Sequence, residues 1–305
     1  DDSALLNMLT ITNGAATLAS GDTSGRINWA FRRGAADAFD YLANGETLIL
    51  TYTIQSNDQK GVLTDDSYAA NGELSSAAAK EVTITITGTN DAPVITVGGG
   101  NSAAGSVTET DAGGLAASGT LTLTDLDLTN TVSSSVTAVA ASGDKAGLTL
   151  TNEQMLALLT TGGSEIAANA TQGTISWSFN SGTNTFDYLA RGETLTLTYT
   201  ITATDSYGAT TAKDVVVSVH GTNDTPEITV GSGSVADSVT ENAAAVLTGT
   251  WSVQDLDVTD VVTASVTGVT TTGGSYAGPA ASIPSETALR AMLTLEGTTM
   301  ASGAS

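Results

Sequence analysis

The chain repeats itself, and this constrains its fold more than any other feature of the sequence. GTNDAPVITVG, from position 88, returns as GTNDTPEITVG from position 221, a spacing of 133 residues. FDYLANGETLILTYTI, from position 39, returns as FDYLARGETLTLTYTI from position 186, a spacing of 147 residues. The difference indicates an insertion of 14 residues within 55–87 of the first copy. A period of this length predicts tandem structural units rather than one large domain.

The matching segments divide the chain into one whole repeat between two partial ones. Residues 1–93 correspond to the C-terminal part of a first repeat, 94–226 to a complete second repeat, and 227–305 to the N-terminal part of a third. The segment MLT occurs near both ends, and a circular permutation would not duplicate it. We therefore expect the chain to be a window from a longer array.

Alternating apolar and hydroxyl residues predict β-strands. In TLTLTYTI, residues 194–201, every second residue is threonine, which is typical of a strand with one buried face. In TISWSF, residues 174–179, the apolar side chains again share one face; we expect Trp177, Trp29 and Trp251 to lie in cores rather than on sugar-binding surfaces. Only NEQMLALLT, residues 152–160, predicts a helix, with Asn152 as its cap. The pattern favours an all-β fold of tandem β-sandwiches with one short helix per repeat.

Charge and composition limit what the protein can bind or catalyse. The 32 acidic and 9 basic residues give a formal net charge of −23, so we expect no nucleic acid partner. No segment approaches the roughly 18 apolar residues of a spanning helix, so we expect no membrane insertion. The chain has no cysteine, and its single histidine, His220, has no partners for a catalytic or zinc site. We expect that the protein is not an enzyme.

The acids lie mainly where strands end and in loops. The loops of a sandwich gather at its two poles, so acids that are distant in sequence can converge there. Converging carboxylates repel one another unless they are protonated or neutralised, and a hard cation such as Ca²⁺ neutralises them. The competing interpretation is that each acid is a solvated loop carboxylate or forms an Asx-turn.

The segment ATDSYGATTAKDVVVSVHGTNDTPEI, residues 203–228, resembles the end of a cadherin repeat. There, an aspartate loop, a last strand and an acidic linker with a proline follow one another. The chain is still more similar to the bacterial cadherin-like repeats of the VCBS type, in which YLAxGExLxLTYT and GTNDAPVI recur. Those repeats belong to giant RTX and biofilm-associated adhesins. The resemblance covers essentially the whole chain and implies immunoglobulin-like, cadherin-like sandwiches.

The same resemblance implies Ca²⁺ ligands at two junctions between repeats. At the first junction the implied ligands are Asp40, Asn90, Asp91, Asp125, Asp127 and Asp205. At the second they are Glu109, Asp187, Asn223, Asp224, Asp255 and Asp257. Gly88 and Gly221 stand where cadherins carry an acid, so we expect fewer or weaker sites than in a cadherin. Pro93 and Pro226 would keep the linkers extended, because proline restricts both its own backbone and that of its predecessor.

The resemblance implies an extender region of a bacterial surface adhesin. Ca²⁺ at the junctions would stiffen a stalk of neighbouring repeats, exported by a type I system, that projects a distal adhesive domain for cell adhesion and biofilm formation. The alternative is that the repeats themselves bind a glycan, a host protein or other copies of the array, as an adhesive, filament or surface-layer module. The insertion would then be a natural place for specificity. We expect Glu46 and Glu193, in the two GET segments, to be corner residues rather than ligands.

Overall fold

The computed structural model describes residues 2–12, 21–34, 38–56, 78–163, 165–230, 238–241, 246–272, 278–280, 283–297 and 299–300. The insertion that the sequence predicts within 55–87 falls largely on residues 57–77, outside the described residues. Among the described residues, no helix has the length and apolar character that crossing a membrane requires.

The described part of the first repeat consists of one short helix and two strand pairs. Its elements are α1 (Asp2–Leu6), β1 (Leu9–Ile11), β2 (Trp29–Phe31), β3 (Thr47–Ser56) and β4 (Ala78–Thr87). β1 pairs antiparallel with β2, and β3 pairs antiparallel with β4 over ten residues each.

The second repeat forms a complete two-sheet sandwich. One sheet has the strand order β5-β7-β10-β9 and the other has the order β6-β12-β11-β8. All pairings are antiparallel except that of β6 with β12, which is parallel. The prediction of an all-β sandwich is confirmed. The elements are β5 (Val94–Thr96), β6 (Ala104–Thr108), β7 (Ala116–Thr124), β8 (Val132–Gly143), α2 (Asn152–Leu156), β9 (Leu159–Gly162), β10 (Gln172–Asn180), β11 (Thr194–Asp205) and β12 (Thr210–His220).

The described part of the third repeat again contains one short helix and two strand pairs. Its elements are β13 (Glu227–Val230), β14 (Trp251–Gln254), β15 (Val262–Thr263), α3 (Glu286–Arg290) and β16 (Thr299–Met300). β13 pairs antiparallel with β14, and β15 with β16. The described residues of each repeat therefore include one helix, and each of these helices is five residues long.

The core of the second repeat lies between its two sheets. Along β11, Leu195, Leu197 and Tyr199 are fully buried, whereas the intervening threonines are only partly buried, as the alternation predicted. Burial of each large apolar side chain contributes roughly 1.5–3 kcal/mol. The one polar tip in this row is satisfied, because the Tyr199 hydroxyl donates a hydrogen bond of 3.0 Å to the carbonyl of Met155 in α2.

The helix is shorter than the sequence pattern indicated, and its cap lies one residue earlier. The N-cap is Thr151, not Asn152: the Thr151 hydroxyl accepts a hydrogen bond from the backbone of Gln154. The Gln154 side chain in turn accepts from the backbone of Thr151, which completes a capping box. The helix ends at Leu156, and Leu159 begins β9 instead, because the last apolar residues of the run are buried as part of a strand.

The prediction that the tryptophans are core residues is right for one and wrong for two. Trp177 is buried against Gly105 of β6 and Gly119 of β7, where an added Cβ would lie 3.1 Å and 2.6 Å from the indole. Trp29 and Trp251 are 44% and 58% exposed. The partial repeats that contain them supply only two-stranded pairs among their described residues, so neither side chain is covered by a facing sheet.

Candidate cation sites at the repeat junctions

Each junction is closed by the backbone of the linker and the acidic loop of the next repeat. The Asp91 amide donates a hydrogen bond of 2.8 Å to Asp127 Oδ2, and the Asp224 amide donates one of 2.8 Å to Asp257 Oδ2. The same arrangement therefore occurs twice, as the spacing of the two GTND segments implied. These bonds cross from one repeat to the next and involve residues from both predicted ligand sets.

A second link crosses each junction at the next residue of the acidic loop. The Leu128 amide donates 3.1 Å to the Tyr41 carbonyl, and the Val258 amide donates 3.4 Å to the Tyr188 carbonyl. Both acceptors follow the aspartate of an FDY segment. The FDY turn of one repeat (39–41 or 186–188) is therefore held beside the acidic DLD loop of the next (125–127 or 255–257).

Glycine at the first position of each GTND linker, Gly88 and Gly221, is required by the backbone around it. An added Cβ at Gly88 would lie 2.2 Å from the Leu42 carbonyl oxygen, and one at Gly221 would lie 2.1 Å from the Leu189 carbonyl oxygen. Such distances are far inside van der Waals contact. No side chain fits at either position, so the linker approaches the preceding turn more closely than an acidic residue would allow.

Glu46 and Glu193 form corners, as the sequence predicted. Glu46 Oε2 accepts a hydrogen bond of 3.0 Å from the Ala43 amide, and Glu193 Oε2 accepts one of 3.0 Å from the Ala190 amide. Their backbone carbonyls accept from Gly88 and Gly221, at 2.8 Å and 3.1 Å. The two glutamates therefore shape the turn against which the linker packs.

At the first junction the structure brings together five of the six predicted residues: Asn90, Asp91, Asp125, Asp127 and Asp205. The Asn90 amide donates a hydrogen bond of 2.8 Å to Asp205 Oδ2. Asp125 Oδ1 accepts from the Asp127 amide at 3.0 Å. The sixth, Asp40, is half-buried in the turn before Tyr41, and no hydrogen bond between described residues ties it to this group.

At the second junction the structure gathers acids from four separate segments. Glu109 is 1% exposed; its Oε1 accepts from the Thr222 amide at 2.6 Å and from the Thr222 hydroxyl. Asp255 Oδ1 accepts from the Asp257 amide at 3.1 Å. Asp187 and Glu109 both lie near enough to raise the pKa of Asp224. Asn223 is exposed, and its amide donates to the Asp224 carbonyl.

Both junctions hold buried carboxylate oxygens that make no hydrogen bond. Taking such an oxygen out of water without a partner is unfavourable by several kcal/mol while the group is charged. Among the described residues, every buried side-chain carboxylate oxygen of this kind belongs to a predicted ligand, and the one remaining atom of the kind is the hydroxyl of neighbouring Tyr188. The first junction has Asp125 Oδ2 and Asp127 Oδ1; the second has Glu109 Oε2, Asp187 Oδ1, Asp224 Oδ2 and Asp257 Oδ1.

Burial, together with neighbouring negative charges, raises the pKa of four of these carboxylates: Asp125, Asp127, Asp224 and Asp257. Burial raises the pKa of Asp127 to about 6; the hydrogen bond from the Asp91 amide opposes this, and Asp125, Asp91 and Asp205 add to it. Burial likewise raises the pKa of Asp224 to about 6, and Asp257 and Glu109 contribute most of the remainder. The environment therefore disfavours the charged form of each group, as expected where acids converge without a counter-charge.

Three residues of the junctions escaped the ligand prediction. Asn130 is fully buried at the first junction, and Asp260 occupies the equivalent place at the second, where it raises the pKa of Asp257. Asp111 contributes to the raised pKa of Asp224. The signal was present for the first two, since DLDLTN and DLDVTD align with an amide against an acid at their last position. Asp111 carries no such signal, because its segment differs between the repeats.

The donors at the junctions suit a hard cation. Among the described residues, no group of three or more Asp, Glu or His side chains is already arranged as a metal centre. Each junction does offer only oxygen ligands, with one oxygen of several carboxylates held by a backbone amide and the other left unpartnered. Carboxylate, amide and backbone oxygens are what Ca²⁺ binds, in flexible geometry. The residues therefore fit Ca²⁺ better than a softer metal.

The fold and the junctions define a tandem β-sandwich repeat protein with acidic joints. No protein-family model matches the sequence, and no curated protein matches it. Among solved structures, protocadherin gammaB7 EC3-6 in its cis-dimer structure aligns at 12% identity and a TM-score of 0.32, over 72% of this chain and 42% of that one. The protocadherin GammaB4 extracellular domain aligns at 16% and 0.30, over 82% and 34%. The CooA pilin subunit from enterotoxigenic Escherichia coli aligns at 12% and 0.27, over 44% and 100%.

This chain thus spans less than half the length of the two protocadherin chains. The assignment of the fold rests on the two four-stranded sheets of the second repeat and on the core between them.

Proposed function

We propose that the protein is a structural spacer whose repeats are locked end to end by Ca²⁺ at their junctions. The observation that carries the proposal is the set of buried, unpartnered carboxylate oxygens at the junctions, contributed from both sides of the second linker by Glu109 and Asp224 before Pro226 and by Asp257 after it. A bound cation would neutralise these groups, which otherwise repel one another. The role is structural rather than catalytic.

Stiffening follows from where the ligands come from. Asp224 belongs to the linker, Glu109 to the second repeat and Asp257 to the third. A cation held by all three would restrict the angle between the repeats. A ligand that binds only the docked form stabilises it by about 2.7 kcal/mol at a hundredfold excess over its Kd. Extracellular Ca²⁺ modules have Kd values of about 10⁻⁴–10⁻³ M, so about 10 mM Ca²⁺ is a hundredfold excess for the tightest of them and about a tenfold excess for the weakest.

The resemblance to VCBS-type repeats supports the wider context of this proposal. In that context the chain is part of the extender region of a bacterial surface adhesin, exported by a type I system and acting outside the cell. The distal adhesive domain would be elsewhere in the full array. External Ca²⁺ would then determine how far that domain is held from the surface.

Small-angle scattering and thermal unfolding in Ca²⁺ and in chelator test the proposal. The upper Kd of such modules is roughly 1 mM, so we use Ca²⁺ in about 5–10-fold excess over it. There we expect a longer maximum dimension and a higher melting temperature than in chelator. Mg²⁺ at equal concentration should have a smaller effect, because it keeps its waters and demands octahedral geometry. The double variant Asp127→Asn/Asp257→Asn should lose the response. Asp214→Asn, an exposed acid of β12 away from both junctions, is the matched control. Dimensions and melting that ignore Ca²⁺ would rule the proposal out.

One observation favours the alternative that the repeats associate with other copies. Three of the four edge strands in the second repeat are short: β5, β6 and β9 have 3, 5 and 4 residues. The fourth, β8, has 12 residues with the sequence VSSSVTAVAASG, which contains no charge and no proline. Long unprotected edges pair with other strands. The start of this edge is covered by Thr161, Glu165 and Ile166. The Val132 amide donates 2.9 Å to the Ile166 carbonyl, the Ser134 amide donates 2.7 Å to Glu165 Oε1, and the Ser134 carbonyl accepts from the Thr161 hydroxyl at 3.4 Å. The later part of β8 is therefore the candidate for pairing.

A second copy is the partner that this edge suits best. A groove of about 450 Å³ runs beside β8 and is lined in part by Val136, Leu156 and Leu159. The chain carries a net charge of −23, so most self-contacts bring acids together, whereas β8 itself contains no charged residue. Sedimentation should show a dimer that Ala140→Lys abolishes and Thr210→Lys, an exposed change on β12, preserves. A monomer at all concentrations would exclude this second function.

A further inference from the structure

The two junctions differ at one position of an otherwise shared turn. The DLD loops continue as LTN at the first junction and VTD at the second, so Asn130 and Asp260 are equivalent. Both turns close in the same way: the Asn130 amide donates 3.2 Å to the Asp127 carbonyl, and the Asp260 amide donates 3.1 Å to the Asp257 carbonyl. The backbones agree, so the difference lies in the side chains.

The Asn130 side chain ties the two sides of the first junction together. Its Nδ2 donates 2.9 Å to Asp127 Oδ2 and 3.1 Å to Asn90 Oδ1, and so joins the linker to the loop of the second repeat. Its Oδ1 accepts from the Ser206 hydroxyl at 3.4 Å. The side chain is fully buried. A neutral donor thereby bridges two oxygens that a cation could otherwise bridge.

Asp260 cannot do the same at the second junction. A carboxylate accepts hydrogen bonds and donates none, so it leaves the oxygens of the linker and loop without a bridge. It also adds a negative charge beside Asp257. Both junctions keep an unpartnered oxygen on the central aspartate of the loop, Asp127 Oδ1 at the first and Asp257 Oδ1 at the second. The first junction has in addition the Asn130 bridge between linker and loop, which needs no ion.

We propose that the residue at this position sets how strongly each junction depends on Ca²⁺. Asn130 keeps the first linker docked on the second repeat when Ca²⁺ is absent, whereas Asp260 makes docking of the second linker conditional on the cation. The inference rests on the proposed function and specifies its regulation. As Ca²⁺ falls, the second junction loosens while the first stays closed. An array would then stiffen in steps, and the amide or acid at this position would determine which joints respond.

Hydrogen exchange of two backbone amides separates the junctions. The amides of Asp91 and Asp224 each donate to an aspartate across a junction, so their protection reports docking locally. In chelator we expect the Asp224 amide to exchange about tenfold faster than in Ca²⁺, as loss of one charge-assisted hydrogen bond implies. The Asp91 amide should change by less than about threefold.

The reciprocal variants Asn130→Asp and Asp260→Asn are the decisive test. In chelator, Asn130→Asp should accelerate exchange at Asp91 about tenfold, and Asp260→Asn should slow exchange at Asp224 by a similar factor. Asn152→Asp makes the same chemical change at an exposed helix residue and should alter neither amide. Protection of the Tyr199 amide in the core shows in each variant that the second repeat is folded.

The outcomes distinguish the inference from the function on which it rests. If Ca²⁺ changes protection at neither junction of the unaltered protein, the proposed function fails. A second outcome is that Ca²⁺ slows exchange equally at the Asp91 and Asp224 amides, with the same response in the variants Asn130→Asp and Asp260→Asn. The spacer function then stands, and the inference about Asn130 and Asp260 is wrong. The inference is supported if the Ca²⁺ dependence of amide exchange appears at whichever junction carries the aspartate, position 130 or position 260.

Discussion

The core of the second repeat and the junctions at its two ends are buried to the same degree, but the buried side chains are apolar in the core and acidic at the junctions. Leu197 and Tyr199 in the core are 0% exposed; Asp127, Glu109 and Asp257 at the ends are 0%, 1% and 2% exposed. Removing apolar surface from water favours the folded state, whereas removing a charged carboxylate opposes it unless the charge is neutralised. Equal burial therefore has opposite consequences for stability in the two regions.

Because of this difference, we expect the stability of the second repeat and the stiffness of the junctions to have separate origins. The core gives the second repeat its stability without any ion, because its side chains are apolar or satisfied. Under the proposed function, the order of the second junction depends on the cation that neutralises its acids, whereas Asn130 also ties the first junction through hydrogen bonds. Changes in the core should act equally with and without Ca²⁺, and changes at the junctions should act through Ca²⁺.

The largest effect should come from the core. Trp177→Ala removes a buried side chain packed on two glycines and should lower the free energy of unfolding by about 3–5 kcal/mol. Denaturant titration should give the same loss in Ca²⁺ and in chelator. Trp251→Ala, at a 58% exposed side chain, should cost much less. A loss for Trp177→Ala that depends on Ca²⁺ would break the separation between core and junction.

The next largest effect should come from placing an acid at the first position of the second linker. Gly221→Asp places a Cβ 2.1 Å from the Leu189 carbonyl oxygen, so the linker must move. We expect a loss of about 1–3 kcal/mol and weaker, not stronger, Ca²⁺ binding by calorimetry. Gly99→Asp, where an added Cβ meets nothing within 4 Å, is the control for the added charge. Tighter binding by Gly221→Asp would mean that the linker tolerates the side chain.

Neutralising a single junction acid should act on the ion and little on the fold. Asp257→Asn removes one charge from the second junction, where Asp257 Oδ1 has no partner. We expect Ca²⁺ affinity to fall about tenfold or more by calorimetry, with unfolding in chelator unchanged or slightly improved. Destabilisation in chelator as large as that from a core substitution would contradict this.

The smallest effect should be that of pH, and its sign depends on Ca²⁺. The pKa of Asp224 is raised to about 6 in the folded protein, above its ordinary value of 3.8. The folded form therefore binds the proton more tightly, so in chelator docking should strengthen as pH falls from 7 towards 4 and weaken as it rises. In Ca²⁺ the trend should reverse, because the proton competes with the cation. Asp224→Asn should flatten the trend in chelator. Hydrogen exchange of the Asp91 and Asp224 amides measures the pH trend in chelator and in Ca²⁺.

Local patterns predicted the sandwich well because apolar and polar residues alternate along its strands. The threonine alternation of β11 is enough to predict that Leu195, Leu197 and Tyr199 share one buried face, and they do. The prediction of the helix was less accurate, because the periodicity of the apolar run through Leu159 fits a helix and a buried strand equally well. The exposed Trp29 and Trp251 show that a core position in a repeat is buried only where the facing strands are present.

The repeat, its period, the alternating strands and the acidic linkers follow from the sequence by itself, because each is a pattern of neighbouring or regularly spaced residues. Only the tertiary structure decided which acids lie together, why Gly88 and Gly221 cannot carry a side chain, and that Asn130 bridges the linker to the next repeat. Those features depend on loops from three distant segments meeting at one pole of a sandwich. The distances between such loops are set by how whole sheets pack, and no local pattern contains them.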